Sequence, residues 1–162
     1  GKVEIHGVEL SWKRNDWKLE ESFPAFDFGL SFSWSEGRKT DEKVPLNSIE
    51  PWKLVSFLDW VSDSKTKGIG LTSTYRAKKK HNQIDQSIGE HLSVGDSIVL
   101  DATAWLEISD RWKILGGINN LTDEKYFLWS SVRRGGGHSS NSVNEKNTQP
   151  GTNAFIKLEA RF

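Results

Sequence analysis

Apolar and polar residues alternate with a period of two in seven separate stretches of this chain, and the gaps between those stretches alternate short and long. Successive side chains of a β-strand point to opposite faces, so this pattern gives each strand one apolar and one polar face. The clearest case is PAFDFGLSFSW. Phe26, Phe28, Leu30, Phe32 and Trp34 share one parity, and Ala25, Asp27, Gly29, Ser31 and Ser33 share the other. SIVLDATAWLEI sets Ile98, Leu100, Ala102, Ala104, Leu106 and Ile108 against Asp101, Thr103 and Glu107, with Trp105 on the polar side. The alternation predicts antiparallel strands over 2–14, 24–35, 52–61, 67–77, 98–108, 111–120 and 153–162, each paired with the next. Two stretches are less plain. In WKLVSFLDWV, Leu54, Leu58 and Trp60 compete with Val55, Phe57 and Val61 for the apolar face. In KVEIHGVELSWK the parity switches at Gly7, which predicts a bulge there.

The connections constrain the fold further. Those near 15–23, 62–66 and 109–110 are short, and those near 36–51, 78–97 and 121–152 are long. A soluble meander or sandwich has no reason for such a rhythm. A transmembrane barrel has one, with short turns on one side of the bilayer and long loops on the other. Strands of about 9–11 residues also match a tilted crossing. Trp12, Trp34, Trp52, Trp60, Tyr75 and Trp112 fall at or near strand ends, where amphipathic rings favour the membrane–water boundary. Trp52 and Trp60 sit roughly 19 Å apart in depth for a tilted strand, close to the spacing of two aromatic girdles.

Composition excludes several other classes. The chain has 22 Lys and Arg against 22 Asp and Glu, so no net basicity points to a nucleic-acid partner. It has no Cys, hence no disulfide and no thiolate chemistry. No apolar run is long enough for a transmembrane helix. The histidines His6, His81, His91 and His138 lack zinc-site spacing. Gly135, Gly136 and Gly137 lack the Lys–Ser/Thr that completes a phosphate loop. No nucleophile elbow and no convincing carboxylate pair occurs, so the chain reads as no enzyme. It starts without Met or a leader, which leads to the expectation of a processed product or a part of something longer.

The chain ends NAFIKLEARF, with Ala154, Ile156, Leu158, Ala160 and Phe162 on one parity. This resembles the C-terminal assembly signal of Gram-negative outer-membrane proteins, which the barrel-assembly machinery reads. GGINNLTDEKYFLWSSVRRGGG followed by TQPGTNAFIKLEARF resembles the end of a TonB-dependent outer-membrane receptor, on Asn120, Leu121, Asp123, Lys125, Tyr126, Pro150 and Gly151. HGVELSW and SIEPWKLVSFLDW are similar to strand starts in that superfamily. Trp129, Ser130, Val132 and Arg133 are closest to its haem and haemoglobin branch. Thr152 stands where members usually carry Arg.

The resemblance implies an all-β fold: residues 1–162 as the C-terminal part of an antiparallel up-and-down barrel of about 22 strands. The plug domain, the TonB-contacting segment and the earlier strands are expected outside these residues. It also implies location in the outer membrane, energy from the TonB complex acting through that plug, and partners in the lipid bilayer, the barrel-assembly machinery and a haem-carrier protein. No permanently bound cofactor is expected; haem enters as a transported ligand. A siderophore receptor of the same superfamily, a diffusion porin or adhesive barrel, and a soluble carbohydrate-binding β-module stand as alternatives.

The last long loop is the richest candidate for ligand contact. Haem offers an aromatic face, two propionates and an iron. Rings stack on the face, Arg pairs with carboxylates, and His ligates iron. Tyr126, Trp129, Arg133, Arg134 and His138 bring all three types together, with Phe127 beside them. Lys78, Lys79 and Lys80 form a basic cluster suited to a solvated loop, the anionic leaflet or an acidic ligand.

Overall fold

The structure is a computed structural model that describes residues 1–21, 23–87, 94–132 and 147–162. The strands are β1 (Val3–Trp17), β2 (Phe26–Lys39), β3 (Val44–Pro45), β4 (Lys53–Val61), β5 (Lys67–Arg76), β6 (Ser97–Ser109), β7 (Trp112–Asn119) and β8 (Asn153–Ala160). A one-turn helix, α1, spans Trp129–Val132. Seven strands form one antiparallel sheet in the order β1-β2-β4-β5-β6-β7-β8, and β3 pairs only with the far end of β2. This is the up-and-down topology expected from the alternation. The sheet stays open, with β1 and β8 at its two edges.

Register makes the apolar parities of β2 and β4 to β8 coincide, and β1 joins them through Leu10↔Phe32 and Trp12↔Leu30. One row runs Phe26↔Trp60↔Ile69↔Ala104↔Gly116↔Ile156. The next runs Phe28↔Leu58↔Leu71↔Ala102↔Ile118↔Ala154. The product is one continuous apolar face. A sandwich would bury it beneath a second sheet, yet Ile69, Leu71, Ile98 and Ile156 remain exposed, Ile156 at 79%. No second sheet covers that face among the described residues. At the edge with the long connections, Trp52 lies 4.9 Å from Tyr75 and 5.8 Å from Phe32, centroid to centroid. Phe26, Trp60 and Trp112 mark the opposite end of the face.

The opposite face is polar but carries rings. Phe57 lies over Gly29 and Phe155 over Gly117, so close that a Cβ on either glycine would come within 2.3 and 2.5 Å of a ring carbon. Glycine is required by this approach. Such ring-on-glycine packing fills the gap in the neighbouring strand. It also resolves the ambiguous stretch: Leu54, Leu58 and Trp60 take the apolar face, and Val55 and Phe57 take the polar one.

The bulge expected at Gly7 is absent. Pairing runs without a break from Val3↔Lys39 to Arg14↔Phe28, and the register shift falls between Arg14 and Trp17. The parity switch instead marks where β1 leaves the apolar band. Beyond Gly7 the apolar residues Val3 and Ile5 lie on the polar-face side and stay exposed. There Ile5 and Ile49 both approach within 3.2 Å of where a Cβ on Gly37 would lie.

Candidate functional site

The three long connections, 40–52, 77–96 and 120–152, leave the same edge of the sheet. They lock onto one another, and Asn47 is the hub. Its side chain pairs with the backbone of Asp85 in both directions: the Asp85 N–H donates to Asn47 Oδ1 at 2.7 Å, and Asn47 Nδ2 donates to the Asp85 carbonyl at 2.9 Å. The Asn47 carbonyl accepts from Trp129 Nε1 at 2.7 Å. One short side chain and its own carbonyl thus join all three connections.

Around this hub sits a small core of Ile84, Val94 and Trp129, with Phe127 and Val132 packed on it. Lys79 is buried beside it, 4% exposed. Its ammonium donates to the Ile49 carbonyl at 2.7 Å and lies 5.5 Å from the Trp129 ring centre. Burial pushes the Lys79 pKa down, against the pull of Glu50 and Glu36. Asp85 is buried too and meets Lys39 Nζ at 3.2 Å. The Ser87 hydroxyl and N–H, followed by Lys39, hold its carboxyl below the usual range.

A second clamp is built by the NNLTDEKY stretch. Asn120, 2% exposed, uses every polar atom. Its N–H donates to Asp101 Oδ1 at 2.8 Å, and its Nδ2 donates to the carbonyls of Glu124 at 2.9 Å and Pro150 at 3.2 Å. Its Oδ1 accepts from the Glu124 N–H at 2.9 Å, and its carbonyl accepts from the Thr152 hydroxyl at 2.6 Å. Asn120 and Asp123 both take positive φ, 53° and 52°, a region that Asn and Asp tolerate better than other residues. Asp123 Oδ1 also receives the Thr152 N–H at 2.9 Å, and a Cβ on Gly151 would fall on that same oxygen. These signature residues fasten the end of β7 to the start of β8.

The ring, guanidinium and imidazole groups singled out in sequence are distributed as follows. Tyr126 lies against Arg76, whose guanidinium carbon is 5.5 Å from the ring centre. Trp129 is 1% exposed, so its ring faces the core among the connections. It does not extend β7; it opens α1. Arg133, Arg134 and His138 lie outside the described residues, as do Gly135, Gly136, Gly137 and His91. His81 opens a short 3-10 turn, and His6 packs edge-on against Trp34 at 5.6 Å. The basic cluster is split, with Lys79 buried and Lys78 and Lys80 exposed.

Two cavities open at this edge. One of about 560 Å³ is bounded by Trp34, Trp52, Tyr75, Lys78 and Lys80. The other, about 330 Å³, lies on the polar face beneath Phe127 and Ser130 and is lined by Ser33, Lys53 and Arg76. Sequence reasoning passed over Asn47, Lys53, Arg76 and Asp85. Only Arg76 and Lys53 left a trace, as two cations at matching ends of consecutive predicted strands.

Comparison with known proteins agrees with this architecture. Residues 1–121 match the family described as TonB dependent receptor-like, beta-barrel. The chain is 25% identical to the haemoglobin-binding protein A of Haemophilus influenzae over 93% of its own length and 16% of that protein's. It is 28% identical to the haemoglobin-haptoglobin utilization protein B of Neisseria meningitidis, over 98% of this chain and 22% of that one. The chain therefore spans about a fifth of the curated relatives it matches. Among solved structures, it superimposes on the copper transporter OprC with a TM-score of 0.78 at 18% identity, covering 99% of this chain and 23% of that one. A ferric enterobactin receptor of Pseudomonas aeruginosa gives a TM-score of 0.66 at 18% identity, covering 98% and 22%. At these identities the superpositions speak for the fold alone. The single open sheet, its unbroken apolar face and the matched family profile converge: the chain belongs to the TonB-dependent receptor-like β-barrel family.

Proposed function

We propose that these residues form the C-terminal wall and part of the outward canopy of a Gram-negative outer-membrane receptor that takes up haem from a haemoglobin-type carrier. The observation that carries the reading is the pairing of one apolar face with one ligand-side edge. All seven strands of the main sheet contribute to the first. All three long connections interlock at the second. The apolar face meets lipid, and the long connections face the exterior. Haem is favoured over a siderophore because relatives aligned over more than nine-tenths of this chain are named for haemoglobin binding. The protein is a transporter, not an enzyme. Its energy comes from TonB acting on a plug encoded outside these residues. Ala154, Ile156, Leu158, Ala160 and Phe162 present the row that the barrel-assembly machinery reads.

Within this reading, Tyr126, Arg133, Arg134 and His138 serve ligand capture, and Trp129 ties its own connection to Asn47. Replacing Arg133 and Arg134 together by Ala in the intact receptor is expected to weaken haem capture by about 1–3 kcal/mol, the worth of lost charged hydrogen bonds. Surface level should stay the same. Titration of haem against both receptors measures it, and equal affinities would take the two arginines out of the site. The broader reading is tested by growth on haemoglobin as sole iron source. Loss of growth on deleting the receptor gene or TonB supports it; growth that depends on the receptor with a ferric siderophore but not with haemoglobin overturns it.

A further inference from the structure

We infer that the polar-face cavity beneath Phe127 is a carboxylate-binding subsite built by Arg76 and Lys53. Three independent features meet there. First, Lys53 and Arg76 are directly paired across β4 and β5. Like charges directly opposite on one face destabilise a sheet unless something lies between them. Second, Arg76 Nη1 is buried and has no hydrogen-bond partner among the described residues. An unpaired buried donor of a charged group is costly, so the guanidinium keeps hydrogen-bonding capacity that the described residues leave unused. Third, both cations line a cavity of about 330 Å³, whose lining also includes Ser33 and Ser130. Glu50 is the one carboxylate in that lining, against two cations.

The geometry selects the ligand class. The Arg76 guanidinium carbon lies 5.5 Å from the Tyr126 ring centre. A planar fork edge matches the two oxygens of a carboxylate. Lys53 supplies a second, mobile point charge from the neighbouring strand. Ser33 pairs with Lys53, and Ser97, itself buried, pairs with Arg76, so hydroxyls flank the cations along one row. Phe127 and Trp129 close the cavity on the side of the loops, which favours a ligand whose carboxylate is attached to an apolar body. A porphyrin propionate has this form. That last step rests on the proposed haem reading; the subsite itself does not.

The test uses the intact receptor in detergent or vesicles. Phenylglyoxal modification of Arg76, read by mass spectrometry, should be detectable in the unliganded receptor and slowed severalfold by succinate. Lys53→Gln should abolish most of that protection. Arg76 already shielded without ligand would mean that the receptor's own plug occupies the cavity, and it would overturn the subsite. Absence of succinate protection would overturn it equally. A second arm addresses the ligand. Arg76→Gln should weaken binding of iron protoporphyrin by about tenfold, and should leave binding of its dimethyl ester, which has no free carboxylates, unchanged. Arg76→Lys should recover part of the loss. Equal loss for both porphyrins would remove the propionate contact. Succinate protection without porphyrin binding would keep the subsite and reject the haem reading.

Discussion

Trp129→Ala will loosen the interlocked connections by about 3–5 kcal/mol, the usual range for removing a fully buried aromatic side chain. The ring is 1% exposed and packs with Ile84 and Val94, which come from a different connection. Its indole N–H donates to the Asn47 carbonyl at 2.7 Å. Losing it leaves a void, an unpaired carbonyl and an ammonium, Lys79, without the ring it faces. Hydrogen exchange gives the measurement. The Asp85 N–H, bonded to Asn47 Oδ1, and the Lys79 N–H, bonded to the Val94 carbonyl, should exchange much faster. N–H groups along β6 and β7 should keep their protection, because the sheet ladder does not pass through Trp129. Trp129→Phe retains most of the packing and loses the donor, so it should cost only about 1 kcal/mol. Unchanged exchange at Asp85 in the Ala variant would show that Asn47 alone joins the connections. Ligand capture should fall in step with the loosening, since Arg133 and Arg134 directly follow α1.

Leu158→Arg is expected to destabilise the membrane-inserted receptor by about 1–2 kcal/mol, between the cost of a basic side chain at the bilayer midplane and that near an interface. Leu158 lies midway along the apolar row from Ala154 to Phe162 and pairs with Ile114. The neighbouring position provides the control. Lys157 points to the polar face, where it forms an exposed ion pair with Glu159 at 2.7 Å. Lys157→Ala should therefore change stability by less than about 1 kcal/mol. Urea titration of the intact receptor in vesicles compares the two. A larger loss for Lys157→Ala would reverse the assignment of the faces and, with it, the side of the sheet on which the Arg76 cavity lies.

The seven long strands and their pairing were legible in the sequence because a strand's two faces are written at period two, and each strand needs only its own residues to show it. Phe26 to Trp34 and Ile98 to Ile108 illustrate this, and the rhythm of short and long gaps sets their order. The parity switch at Gly7 was misread because alternation records which face carries apolar residues, not whether the ladder breaks. Ile5 stays exposed beside Gly37, where Ile49 from a connection far along the chain also approaches. Phe57 and Phe155 were equally opaque. A ring on the polar face makes sense only against a glycine in the next strand.

The canopy was far less legible. Trp129 reads in sequence as an exposed ring fit to stack on a ligand, yet the fold encloses it. Lys78, Lys79 and Lys80 read as one solvated cluster, yet Lys79 is enclosed and its neighbours are not. Nothing local separates the three. Burial there depends on three connections meeting through Asn47, and no pattern within any one of them encodes that meeting. The sequence by itself determined the strands, their faces and their order, since these follow from short-range alternation and chain connectivity. Only the tertiary structure decided which polar groups are enclosed at the long-loop edge, and that Lys53 and Arg76 share a cavity, because those outcomes depend on contacts between segments distant in the chain.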